Sequence, residues 1–133
     1  MRHVIVVEDD PLNALLFHKL LERRGGYRVT LTESPEEVLR LAREGADLVL
    51  LDVSLTDSFW EGRHVGGVDI CRLLKSDPAC AKIPAVLATA HAMRGDEERL
   101  LSESGADGYV AKPLVDHEAF LTLIRGLLRA EAA

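Results

Sequence analysis

The sequence predicts an α/β fold in which five short strands alternate with five helices, assembled as a parallel sheet covered on both faces. Three observations carry this reading. Val4–Val7 and Leu48–Leu51 are uninterrupted apolar runs, too short for helices and suited to strands buried on both sides. Apolar residues recur at helical spacing in the segments between such runs. Polar residues close the runs, at Glu8-Asp9, Asp52, Thr89 and Lys112, on the edge where open α/β sheets place their working sites.

Taken in order, Val4–Val7 is the first strand and ends in Glu8-Asp9-Asp10. Pro11 suits the first turn of a helix, with Asp10 as its cap. Leu12, Leu15, Leu16, Leu20 and Leu21 carry that helix to about Arg24, and Gly25-Gly26 stops it. Tyr27, Val29 and Leu31 alternate with polar residues, as in a half-exposed or edge strand. Ser34-Pro35-Glu36-Glu37 combines a cap, a first-turn proline and two first-turn acids, so a second helix runs to about Glu44. The third strand spans 47–52. An irregular stretch follows. Val68, Cys71, Leu73 and Leu74 then mark a third helix, ending near Ser76 before Asp77-Pro78. Pro84 opens a fourth strand, Ala85–Thr89. A fourth helix covers Gly95–Ser104, with Gly105 as its stop, and Tyr109–Ala111 is a short fifth strand. Phe120, Leu123, Ile124, Leu127 and Leu128 form the stripe of the last helix.

With five such units the flavodoxin-like strand order 2-1-3-4-5 follows, a doubly wound (βα)5 sheet with the two most apolar strands side by side in the middle. The 133 residues fit one domain. A hydrophobic content of 47% allows a packed core. The formal net charge of −6 disfavours direct DNA binding through phosphate contacts. Cys71 and Cys80 have neither metal-ligand spacing nor a disulfide framework, and read as reduced helix-packing residues of a cytoplasmic protein. No run approaches the length needed to span a membrane.

The predicted topology brings Glu8 and Asp9, Asp52, Thr89 and Lys112 to one edge. Three converging carboxylates repel one another unless a cation joins them. An all-oxygen set with room for water favours a hard divalent ion such as Mg²⁺. Such an ion could hold a phosphoryl oxygen while Asp52 attacks phosphorus, with Lys112 and Thr89 as donors to the remaining oxygens. A flavin-phosphate site after the first strand is excluded on charge, because Glu8-Asp9-Asp10 repels a phosphate.

Val7-Glu8-Asp9-Asp10-Pro11, Leu50-Leu51-Asp52, Leu87-Ala88-Thr89-Ala90 and Gly105–Pro113, each in order and at a strand end, resemble the bacterial two-component response-regulator receiver domain, the CheY-like family. Leu12-Asn13, Phe17–Leu21 and Ala92–Arg99 look most like the single-domain DivK-type regulators. The resemblance implies that Asp52 accepts a phosphoryl group from a sensor histidine kinase or a histidine phosphotransfer protein. It implies that Asp9 ligands Mg²⁺ directly, Glu8 holds it through water, and the Ser54 backbone carbonyl is a further ligand alongside Asp52. Lys112 would pair with the phosphoryl group. Thr89 would move inward and Tyr109 change rotamer, altering the face made by the fourth helix, fifth strand and fifth helix for a downstream protein. Ser54 and His91 would tune the phosphoryl lifetime, and Lys112–Pro113 would be cis. A stand-alone receiver without an output domain is expected, catalysing only its own phosphorylation and dephosphorylation.

One departure stands out. Receivers usually carry proline four residues after the acceptor and glycine about eight after it. Here the fourth position is Thr56 and the equivalent glycine is Gly67, so the 56–66 loop carries an insertion with Phe59 and Trp60. Two readings of the rings stand open: both fold back over the third helix, or they form a partner-recognition element. Two other functions fit the residues less well. A constitutive docking module leaves the Glu8, Asp9, Asp52, Thr89 and Lys112 set unexplained. A phosphohydrolase with an aspartyl nucleophile commonly carries a second acid two residues on, where this chain has Ser54.

Overall fold

The computed structural model describes residues 1–90 and 96–132. The elements are β1 (His3–Val7), α1 (Pro11–Lys19), β2 (Arg28–Thr32), α2 (Pro35–Arg43), β3 (Leu48–Asp52), β4 (Phe59–Trp60), β5 (Arg63–His64), α3 (Gly67–Ser76), β6 (Ala85–Thr89), α4 (Asp96–Ser104), β7 (Gly108–Ala111) and α5 (His117–Ala132). The main sheet is parallel throughout, in the order β2-β1-β3-β6-β7. β6 and β7 are the fourth and fifth strands of the sequence reading, so the expected order 2-1-3-4-5 holds.

Strand periodicity builds the two layers. Ile5, Val7, Val49, Leu51, Ala85 and Leu87 point to one face, where Val38, Leu39 and Ala42 of α2, Ile70, Cys71 and Leu74 of α3, and Leu100 of α4 cover them. Val4, Val6, Leu48, Leu50, Val86, Ala88 and Val110 point to the other, beneath Phe17 of α1 and Phe120, Leu121, Ile124 and Leu128 of α5. Successive residues of a strand alternate in direction, so the continuous apolar runs feed both layers at once. β2 is half-exposed at the sheet edge, as its alternation indicates.

The caps are those the sequence predicts. Asp10 accepts the Leu12 N–H at 3.0 Å, and Ser34 Oγ accepts the Glu37 N–H at 3.2 Å. Both cysteines are free and buried. Lys112–Pro113 is cis. Among the described residues no helix is long and apolar enough to cross a membrane.

Three details differ from the sequence reading. The first helix does not stay α-helical to Arg24. Leu20–Arg24 continue it as a π-turn, and Gly25 N–H bonds to the Leu20 carbonyl. Its buried face is Phe17, Leu20 and Leu21, whereas Leu12 and Leu15 are 78% and 48% exposed. Spacing alone placed all the leucines on one stripe, but they span more than one face. Third, the stretch after Asp52 is not irregular. β4 and β5 form an antiparallel hairpin pairing Phe59 with His64 and Trp60 with Arg63. Its two-residue turn, Glu61-Gly62, has φ of 50° and 79°. Positive φ at both positions matches the primed turns that suit strand twist. The start of the fourth helix expected at Gly95 lies outside the described residues.

α3 starts hard against the end of β3. A Cβ on Gly67 would lie 2.3 Å from the Asp52 carbonyl oxygen and 2.8 Å from its carbon. Backbone cannot yield there without moving β3 or α3. Gly67→Ala is expected to destabilise the fold by about 1–3 kcal/mol, the usual cost of overpacking, measured as a lower urea midpoint.

Candidate functional site

Parallel register assembles the site. Val7 pairs with Leu51, Asp52 with Ala88, and Thr89 with Ala111. The next residue of each strand therefore arrives at the same edge, which brings Glu8 beside Asp52 and Lys112 beside Thr89. The Lys112 N–H donates to the Thr89 carbonyl at 2.8 Å, extending the ladder by one residue.

Lys112 Nζ lies 3.0 Å from Asp52 Oδ1 and 3.0 Å from Glu8 Oε1. The three side chains are 10%, 3% and 1% exposed, respectively for Lys112, Asp52 and Glu8. Asp52 Oδ1 also accepts the Ser54 N–H at 3.1 Å, and Glu8 Oε2 accepts the Asp10 N–H at 3.2 Å. Asp9 is half-buried. Its Oδ2 accepts two bonds from Thr56, at 3.0 Å from the backbone N–H and 2.7 Å from Oγ1.

Charge is unbalanced here, with one ammonium facing three carboxyls. Burial, followed by a hydrogen bond with Asp52, pushes the Glu8 carboxyl from 4.5 up to about 7, against the lowering influence of Lys112. Burial works against the Lys112 charge, but its bonds to Asp52 and Glu8 outweigh that and raise its pKa. For Asp9 burial is the largest single influence and raises its pKa, but the two Thr56 bonds, with smaller help from Asp52 and its own backbone, outweigh it and hold the carboxyl below its usual range. Glu8, Asp9 and Asp52 can each turn one oxygen to within 4.8 Å of the others. Three carboxylate oxygens in excess negative charge are the donor set of a hard divalent cation, so these residues fit Mg²⁺.

The predicted residues therefore divide. Glu8, Asp9, Asp52 and Lys112 meet. Thr89 is 1% exposed at the end of β6, and Ser54 lies two residues beyond the end of β3, exposed. Tyr109 stands half-buried on β7, lining a hollow of about 230 Å³ with Pro113, Leu114, Val115 and Phe120. His91 lies outside the described residues. The two loop rings do not both cover α3. Trp60 packs on the core beneath α2 and α3 and lines a hollow with Asp69, Arg72 and Leu73. Phe59 is 51% exposed and stands edge-on to His64, 5.8 Å between centroids, facing the start of α2. Successive residues of a strand face opposite ways, so the hairpin separates these neighbouring rings. Thr56 is the contact that sequence reasoning missed. Its signal was the absence of the usual proline, which has no N–H to give.

The chain matches the family profile described as the response regulator receiver domain over residues 4–125. It is 40% identical over 114 residues to the polar-differentiation response regulator DivK of Brucella ovis, covering 85% of each chain, and 39% identical over the same length to that of Brucella anthropi. Its structure resembles the receiver domain of a sensor histidine kinase from Pseudomonas aeruginosa, which has a magnesium ion coordinated in its active-site cleft. The TM-score is 0.75 at 28% identity, over 99% of this chain and 98% of that one. A response regulator from Chloroflexus aurantiacus, at 24% identity, shares the fold with a TM-score of 0.81 over 96% of this chain and 98% of that one.

The Glu8 shift has a pH consequence. Between pH 4.5 and about 7 the folded protein keeps a proton on Glu8 that the unfolded chain releases. Stability then falls as pH rises through that window. In metal-free protein, Glu8→Gln is expected to gain on wild type with rising pH, by on the order of 3 kcal/mol across the window. Urea unfolding in chelator at several pH values checks it.

Proposed function

We propose, from the premise that the chain belongs to the response regulator receiver domain family, that it is a phosphorylation-controlled signalling protein with Asp52 as the acceptor. The observation that carries this reading is the Lys112 ammonium held 3.0 Å from Asp52 Oδ1, beside Glu8 and Asp9.

Receiver domains are signalling domains rather than metabolic enzymes, and the chemistry proposed here is self-directed. A carboxylate oxygen of Asp52 attacks the phosphorus of a phosphohistidine on a histidine kinase or phosphotransfer protein. The P–N bond breaks, the imidazole leaves with its electron pair and takes up a proton, and Asp52 becomes an acyl phosphate. Asp9, Asp52 and the Ser54 carbonyl would hold Mg²⁺, with Glu8 through water, and the ion would supply positive charge against the phosphoryl oxygens. Lys112 swings from Glu8 towards a phosphoryl oxygen, and the Thr89 hydroxyl donates to another. Hydrolysis reverses the change: water attacks phosphorus and Asp52 leaves as the carboxylate. Ser54 and His91 are the positions proposed to tune its rate.

Asp52 is almost fully covered, so a protein donor must seat against the rim to reach it. Leu12 and Leu15, exposed on α1 just after Asp10, offer apolar area for such a seat. For output, inward movement of Thr89 frees space for Tyr109, whose hollow against Pro113, Leu114 and Phe120 gives the ring room to change rotamer. The surface of α4, β7 and α5 then differs between the two states, and a downstream protein reads the difference.

Intact mass after incubation with Mg²⁺ and acetyl phosphate tests the reading. One phosphoryl adduct is expected on wild type, and none on Asp52→Asn or in chelator. An unlabelled wild type that also fails to bind beryllofluoride would replace this reading with constitutive docking.

A further inference from the structure

We infer that Thr56, in the inserted segment, is a positioning residue for the metal ligand Asp9, and that it makes the β4–β5 hairpin a mechanical part of the metal site. The inference rests on the metal-assisted reading above and deepens it.

Thr56 is not a loosely placed loop residue. Its neighbours are anchored on both sides. Leu55 is 2% exposed in the core and its carbonyl is bonded to His64 Nε2 at 2.9 Å. Ser58 is 1% exposed, donates its hydroxyl to the Glu33 carbonyl at 2.6 Å, and accepts the Val65 N–H at its own carbonyl at 3.0 Å. Trp60 then fixes the hairpin to the core beside α3. The backbone at position 56 is thus clamped above the end of β1.

From that position Thr56 places two donors on one oxygen, Asp9 Oδ2. A carboxylate has about four lone-pair sites. Occupying those of Oδ2 fixes the rotation of the group and leaves Oδ1 to serve as the ligand. Hydrogen bonds to a ligating carboxylate orient it and commonly govern metal affinity. Neither bond is available to a proline at this position, which lacks both the N–H and the hydroxyl. The chain therefore holds its metal ligand through the insertion that distinguishes it.

Coupling of this kind is reciprocal. If the hairpin orients Asp9, metal binding changes the hairpin, and contacts made on the exposed Phe59 face alter metal affinity by the same factor.

The test is a Mg²⁺ titration of full-length protein followed by amide NMR shifts, with no phosphodonor present. Thr56→Val removes the hydroxyl, keeps the shape and retains the N–H bond. Its Kd for Mg²⁺ is expected to rise about tenfold, while Thr56→Ser restores wild-type affinity. In wild type the amides of Phe59, Trp60, Arg63 and His64 should shift with the same Kd as the site itself, and these shifts should shrink in Thr56→Val. Thr56 is exposed, so urea midpoints should stay close and exclude a folding defect. Equal or tighter Mg²⁺ binding by Thr56→Val would overturn the inference and leave the phosphorylation reading standing. No Mg²⁺ binding by wild type would overturn both.

Discussion

The structure depends on one buried charge arrangement, the Lys112 ammonium shared between Asp52 and Glu8. Glu8 and Lys112 are 104 positions apart in sequence, and both oxygen contacts are 3.0 Å. Taking three charges out of water costs several kcal/mol per ion before attraction offsets it, and leaving one without its partner typically costs about 3–5 kcal/mol. A stability-seeking core would place apolar side chains here. With Asp9 included, negative charge still exceeds positive, and the raised Glu8 carboxyl registers that excess. A site left under-neutralised is poised to take a cation; under the proposed function, the oxygens of a phosphoryl group would then compete with Glu8 for the same ammonium.

Everything else in the fold serves to hold that arrangement to within a hydrogen bond. Two apolar layers pin β1, β3, β6 and β7 on both faces, so no strand can slip by one residue without turning its core side chains to the wrong layer. That constraint, set far from the charges by Val4–Val7, Leu48–Leu51 and Ala85–Ala88, places Glu8, Asp52, Thr89 and Lys112 at one height. Gly67 adds a steric stop behind Asp52, because α3 begins against the Asp52 carbonyl.

Much of this was legible from the residues. Short apolar runs closed by polar groups fixed the strands, and Ser34-Pro35 and Asp10-Pro11 fixed two helix starts to the residue. Strand order followed from alternation, and the site followed from strand order. What escaped was decided by tertiary partners. Leu12 and Leu15 share a helix with Phe17 and Leu20, but only the packing of α1 on the sheet decides which of its leucines are covered. The hairpin escaped because Glu-Gly is a weaker turn signal than Asn-Gly or Asp-Gly, and Glu61 must adopt a φ that non-glycine residues rarely take. The opposite directions of Phe59 and Trp60 follow from that strand pairing and from no property of either ring.

The Thr56 contact belongs to the same class. Nothing in an isolated threonine announces that its two donors meet a carboxylate 47 positions earlier. The departure from proline was visible, but its meaning required knowing that Leu55 and Ser58 are anchored and that the chain between them crosses over Asp9. The insertion is, through the Thr56 bonds to Asp9, joined to the acidic group that contains the buried Glu8 and Asp52. Lys112 governs one side of the acidic group from β7, and Thr56 governs the other from the insertion. Glu8, Asp9 and Asp52 are thereby constrained from both ends of the cleft, so a change at either end alters the same three carboxylates.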